Sequence, residues 1–181
     1  MARLPRPDTA TLPEPIRELL DRIPPLNLFR ILAHAPTAVR PFVQLGNALL
    51  TRGTLDARLR ELAILRVGHL AGADYEVHQH EQIARAHGLD AARIAACAEG
   101  SAMPVFDARE RAVLRLTEEV ATGVRASAPT FAAIRDFLDD RQIAELVLTI
   151  GYYGMVARIV EALEVEREAV DLLPGWTGGG T

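Results

Sequence analysis

The sequence predicts an all-α fold, a single-domain helical bundle. Three observations carry that reading. No segment sustains the two-residue alternation of apolar and polar residues that marks a strand. Helix-start residues (Asp, Ser or Thr) precede apolar runs, and Gly or Pro follows them, again and again along the chain. The 181 residues, 49% apolar and 24% charged, suffice for one domain with a real core.

The elements follow in order. The first fifteen residues are proline-rich and read as a surface segment. A short helix is expected over about 16–23. Pro24 and Pro25 stop it, because proline lacks an amide donor and restricts the residue before it. A second covers about 28–34, with Pro36 closing that stretch, and a third runs from near Ala38 to Leu50 and ends at Gly53. The fourth starts near Thr54 or Asp56. Its Leu59, Leu62, Ala63, Leu65, Val67 and Leu70 occupy more than one stripe, which places it centrally. Gly72 breaks the run. A fifth helix spans about 74–87 with Gly88 as its stop, and a sixth runs from Asp90 to near Gly100. Asp107 and Glu110 have capping-box spacing and open a seventh helix to about Val124. Ser127 with Pro129 opens the eighth; Asp139 with Gln142 opens the ninth, to about Leu163. The organisation expected is an N-terminal extension with short helices (1–45), a helical domain (46–170) and a flexible tail (171–181).

Composition excludes several classes. A net charge of -4 leaves no basic footprint for nucleic acid. All 20 basic residues are arginine, so the chain supplies no lysine for Schiff-base chemistry or a lysine-held pyridoxal cofactor. The single cysteine, Cys97, makes no internal disulfide or redox pair and suits a reducing compartment. The N-terminus carries no apolar signal segment, and the uncharged apolar run from Leu146 to Ala157 is too short to span a bilayer. A cytoplasmic protein without membrane or nucleic-acid partners is expected.

The stretch ELAILRVGHLAGADYEVHQH, residues 61–80, concentrates the candidate chemistry. Glu76 and His80 are four apart and share a helix face. A carboxylate beside an imidazole raises its pKa and fixes its tautomer, as a general acid or base requires. Glu61 lies in an apolar helix, where a carboxylate is costly unless paired or functional. Arg58 and Arg66 flank it, and Arg66 could neutralise it or hold a substrate carboxylate. The same spacing is also that of an ordinary surface Glu–His pair and a structural Glu–Arg link. A metal site is not expected: His78 and His80 point to nearly opposite sides of a helix, and no metal-binding signature accompanies His69, His78, His80 and His87. His78 and His87 are expected to face solvent, and Cys97 to be a small buried hydrophobe. In IGYYGMVARIVEAL, Gly151 and Gly154 allow close helix approach, and a tyrosine such as Tyr153 could line a pocket. The DAR-x-R pattern at Asp56 recurs at Asp107, but Ala112 stands where the first copy has Glu61.

The stretch RELAILRVGHLAGADYEVHQHEQIARAHGL, then FDARERAVLRLTEEV, then the spacing around Ile150 to Arg158, resembles the carboxymuconolactone decarboxylase family, which includes the alkylhydroperoxidase D-like branch. The resemblance runs from about Gly46 onward. It implies an alkylhydroperoxidase D-like all-helical subunit that assembles into dimers, trimers or hexamers. The peroxidase branch has a glutamate, a CxxC and a histidine. Here Glu61 and His80 fall on the glutamate and histidine, while Ala73 and Glu76 occupy the cysteine positions. With no thiol at either, hydroperoxide reduction by a dithiol is disfavoured. The decarboxylase side implies a cofactor-free lyase or proton-transfer enzyme of aromatic catabolism, acting on a small carboxylated or lactone compound. His80 would be the general acid, tuned by Glu76 or Glu61, with Arg66 and Tyr153 binding substrate. The competing expectation is a non-catalytic helical oligomer that binds a small molecule.

Overall fold

A computed structural model describes residues 2–169. Within them nine α-helices follow a short 3-10 turn at Thr9–Thr11, and no strand occurs. They are α1 (Glu14–Arg22), α2 (Asn27–Leu32), α3 (Pro36–Thr51), α4 (Ala57–Ala71), α5 (Asp74–Ala86), α6 (Ala91–Ala96), α7 (Ala108–Gly123), α8 (Ala128–Arg135) and α9 (Asp140–Ala162). The all-α expectation holds element by element. Pro36 is the one change of role: it opens α3 rather than closing α2, because proline at a first helical position forfeits a donor that has no partner there anyway. The expected division at residue 46 falls inside α3. The tail expected at 171–181 lies outside the described residues.

The helix starts use the anticipated chemistry. Asp56 accepts from the amides of Arg58 and Leu59 to begin α4. Asp107 with Glu110, and Asp139 with Gln142, form complete capping boxes at α7 and α9. Gly72 ends α4 in the left-handed region at φ +65°, which glycine adopts without steric cost.

Helix α4 is the axis of the molecule. It packs against α5, α7 and α9. Residues 60 to 65 are all buried, so no face of this segment is left to solvent. Its close approach to α5 depends on Gly68, where a Cβ would come within 2.8 Å of Val77. Helix α9 is 23 residues long and by length and composition could cross a membrane. Here Ile143, Leu146, Ile150, Val156 and Val160 join the main core instead, with Ile64, Val67, Val113 and Leu116. A second core cluster holds Leu62, Leu65, Leu114, Phe106 and Cys97. The N-terminal helices α1 and α2 lie against α3.

Candidate active site

Two adjacent helices bring the acidic residues and the imidazole together. Glu61 projects from α4 and is fully buried; Glu76 and His80 project from α5 and are 4% exposed. His80 Nδ1 lies 2.7 Å from Glu61 Oε2, and Nε2 lies 3.0 Å from Glu76 Oε1. A carboxylate oxygen can only accept, so a ring held between two carboxylates donates from both nitrogens and is an imidazolium. Burial works against that charge, but the charges and hydrogen bonds of Glu61 and Glu76 outweigh it and hold the His80 pKa up at about 9.

His80 and Glu76 open onto a cavity of about 410 Å³. Three further elements complete its wall: α3 through Val43, Gly46, Asn47 and Leu50; α9 through Tyr152, Tyr153 and Val156; and the N-terminal segment through residues between Leu19 and Phe29. Tyr153 stands edge-on to the His80 ring, centroids 4.7 Å apart. Burial, followed by the carboxylates of Glu76 and Glu61, pushes its phenol well up, so it stays protonated. Tyr152 donates to the Phe42 carbonyl at 3.2 Å and packs on the rings of Phe42 and Tyr153. Gly46 exists for this contact: a Cβ there would collide with the Tyr152 hydroxyl.

The C-terminal segment ties this wall together. Glu168 Oε1 accepts from the Tyr75 hydroxyl at 2.7 Å and the Asn27 amide at 2.6 Å, and its Oε2 accepts from Gln79 Nε2 at 2.7 Å. Tyr75 and Gln79 both line the cavity.

Of the residues singled out from sequence, Glu61, Glu76, His80 and Tyr153 meet at this place and Arg66 does not. Arg66 pairs with Glu118 at 2.9 Å and donates to the carbonyls of Cys97 and Ala98. Five residues along α4 from Glu61 turn it about 140° away. The arginine on Glu61 is instead Arg60, 5% exposed, whose Nε and Nη2 each lie 3.2 Å from Glu61 Oε1. Sequence reasoning passed over Arg60 because neighbours in a helix do not face each other; only its long, folded-back side chain closes the pair. Glu168 carried no local signal at all. His78 and His87 are half-buried rather than solvent-facing. Cys97 is fully buried in the second core cluster, burial holds its thiol up at about 12, and it is not part of the cavity wall. Among the described residues no group of three or more His, Cys, Asp or Glu could hold a metal ion.

The family model described as the carboxymuconolactone decarboxylase family matches residues 36–119. Over those residues the chain is similar to the carboxymuconolactone decarboxylase family. The family segment contains Glu61, Glu76 and His80, whereas Tyr152, Tyr153 and the Leu19–Phe29 wall lie outside it. No curated protein matches the chain. Among solved structures, an alkylhydroperoxidase AhpD core, an uncharacterized peroxidase-related protein from Ralstonia eutropha JMP134, aligns with a TM-score of 0.83. It shares 22% identity, and 96% of each chain is covered. A peroxidase-related protein from Silicibacter sp. TM1040 aligns at 0.80, with 17% identity over 98% of this chain and 96% of that one. The debrominase Bmp8, in complex with 2,3,4-tribromopyrrole, aligns at 0.71, with 20% identity over 93% and 91%. At these identities the likeness establishes an alkylhydroperoxidase D-like fold, with residues 36–119 as the part that matches the family model.

Proposed function

We propose that the protein is a cofactor-free acid–base enzyme, of carboxy-lyase type, acting on a small carboxylated or lactone compound. The observation that carries this reading is the buried Glu61–His80–Glu76 array facing a cavity. An imidazolium poised between two carboxylates can give a proton to a substrate carbon or oxygen and recover it, and Glu61 keeps the ring in one orientation. In a decarboxylation the substrate's C–C bond breaks and carbon dioxide leaves. The electron pair stays on carbon, delocalised into a conjugated carbonyl. The His80–Glu76 pair then delivers the proton that completes the product. Tyr153, held as a phenol, offers a hydrogen bond to the developing oxyanion. Arg22 and Arg52 line the cavity and are the cations placed to meet a substrate carboxylate, the role expected of Arg66. The tribromopyrrole complex of the debrominase supports a small, flat, largely apolar ring as the size of molecule this fold admits. A homo-oligomeric cytoplasmic enzyme is part of the same proposal.

The test begins with thermal shift against a panel of lactones and aromatic acids. Compounds that stabilise the protein are then assayed for carbon dioxide release. Glu76→Gln and His80→Gln are expected to keep binding and lose about 100-fold or more in kcat. Full turnover in both variants would sink the proposal; binding without any turnover in the wild type would leave a small-molecule binder.

A further inference from the structure

The two oxygens of Glu61 are divided between two cations. Oε1 takes both Nε and Nη2 of Arg60, and Oε2 takes His80. Arg60 Nη2 also lies 3.4 Å from Nε2 of His87, which caps the C-terminus of α5. The side chains therefore form a chain from the half-buried His87 inward through Arg60, Glu61, His80 and Glu76 to the cavity.

A guanidinium does not release its proton, so it cannot serve as a step in proton traffic. It can decide where that traffic stops. If Arg60 were removed, His80 would be left as the cation on Glu61, and Oε1 of a fully buried carboxyl would lose both its donors, which favours the neutral acid. The proton shared with His80 Nδ1 would then pass to Glu61, on the side of the ring away from the cavity. We propose that Arg60 is a positioning residue: it keeps Glu61 ionised with Oε2 aimed at His80, and so confines the exchangeable proton to the His80–Glu76 side, against the cavity. This rests on the acid–base reading of the site.

The other groups around His80 do not supply this. Tyr152 and Tyr153 from α9 are phenols pushed up by burial. Glu168 acts on the cavity wall through Tyr75 and Gln79. Glu76 is the cavity-side acid itself.

The inference has a sign that a plain electrostatic or packing role lacks. If Arg60 were only a nearby positive charge, its removal would raise the pKa of His80. If it keeps Glu61 ionised, its removal neutralises Glu61 and lowers the pKa of His80. The experiment is an NMR titration of the full chain labelled with 15N-histidine, with the His80 ring identified by its loss in His80→Gln. In Arg60→Met the His80 pKa is expected to fall by about one unit or more, and in Arg60→Lys to stay within about half a unit of wild type. An unchanged or higher value in Arg60→Met overturns the inference. Should that variant not fold, Glu61→Gln is compared with Arg60→Met/Glu61→Gln, which leaves no unmatched buried charge. Equal His80 values mean that Arg60 acts only through Glu61; a value higher by more than about half a unit in the double variant overturns it. The titration needs no substrate, so it reports on Arg60 even if the turnover assay rejects the enzymatic reading.

Discussion

At the scale of single residues, His80 dominates. Its pKa stands near 9 in the folded chain against 6.5 for a free imidazole, raised by two carboxylates against the effect of burial. A raised value means that folding is favoured by protonation. The stabilisation is therefore fully present below pH 6.5 and is lost as pH rises through about 9. Thermal unfolding between pH 6 and 10 is expected to show a melting temperature that declines over this window in the wild type. The decline should be much flatter in His80→Gln. Truncating the ring is itself costly: His80→Ala leaves Glu61 and Glu76 buried without their shared cation, and a loss of about 3 kcal/mol at neutral pH is expected in denaturant titrations. The trio was legible in the sequence because its signals are local, namely a carboxylate within an apolar helix and an i,i+4 pair on the next one. Arg60 and Glu168 were not legible. One acts by wrapping a long side chain around its own helix, and the other reaches residues 89 to 141 positions away.

At the scale of helices, two backbone positions set how the elements meet. Gly46 lets α3 lie against Tyr152 of α9, and Tyr152 is held by the Phe42 carbonyl and two aromatic neighbours, so it has little room to yield. Gly46→Ala is expected to cost about 1–3 kcal/mol in chemical denaturation, and to weaken binding of any compound found to occupy the cavity. Val124 is the opposite case. It ends α7 at φ +65° with its side chain exposed, a conformation that a β-branched residue adopts at a penalty. Val124→Gly removes that penalty and is expected to stabilise the protein by about 1 kcal/mol, read as a higher melting temperature with no change at the cavity. Helix boundaries were readable because Asp56, Asp107, Ser127 and Asp139 all cap as their spacing indicated. The role of Pro36 was not, because a proline between two helical runs can close one or open the other, and packing of α3 decides which.

At the scale of the whole molecule, the N-terminal helices and the segment that follows α9 both reach the cavity wall. Residues of α1 and α2 supply part of its wall, and Glu168 pins Asn27, Tyr75 and Gln79 with three hydrogen bonds. Glu168→Ala is expected to lower the melting temperature by several degrees and to speed the association of cavity ligands in stopped-flow binding, with the His80 titration unchanged. Unaltered association kinetics would show that this contact does not govern access.

The proton-handling trio lies within residues 36–119, and much of the surface that a bound molecule would touch lies before or after them. Under the proposed acid–base function, the proton carriers and part of the binding surface therefore come from different stretches of the chain. On that reading, replacing residues 19–29 would retune which compounds are accepted while Glu61, Glu76 and His80 keep their mutual geometry, so that one scaffold takes up new molecules without rebuilding its proton carriers.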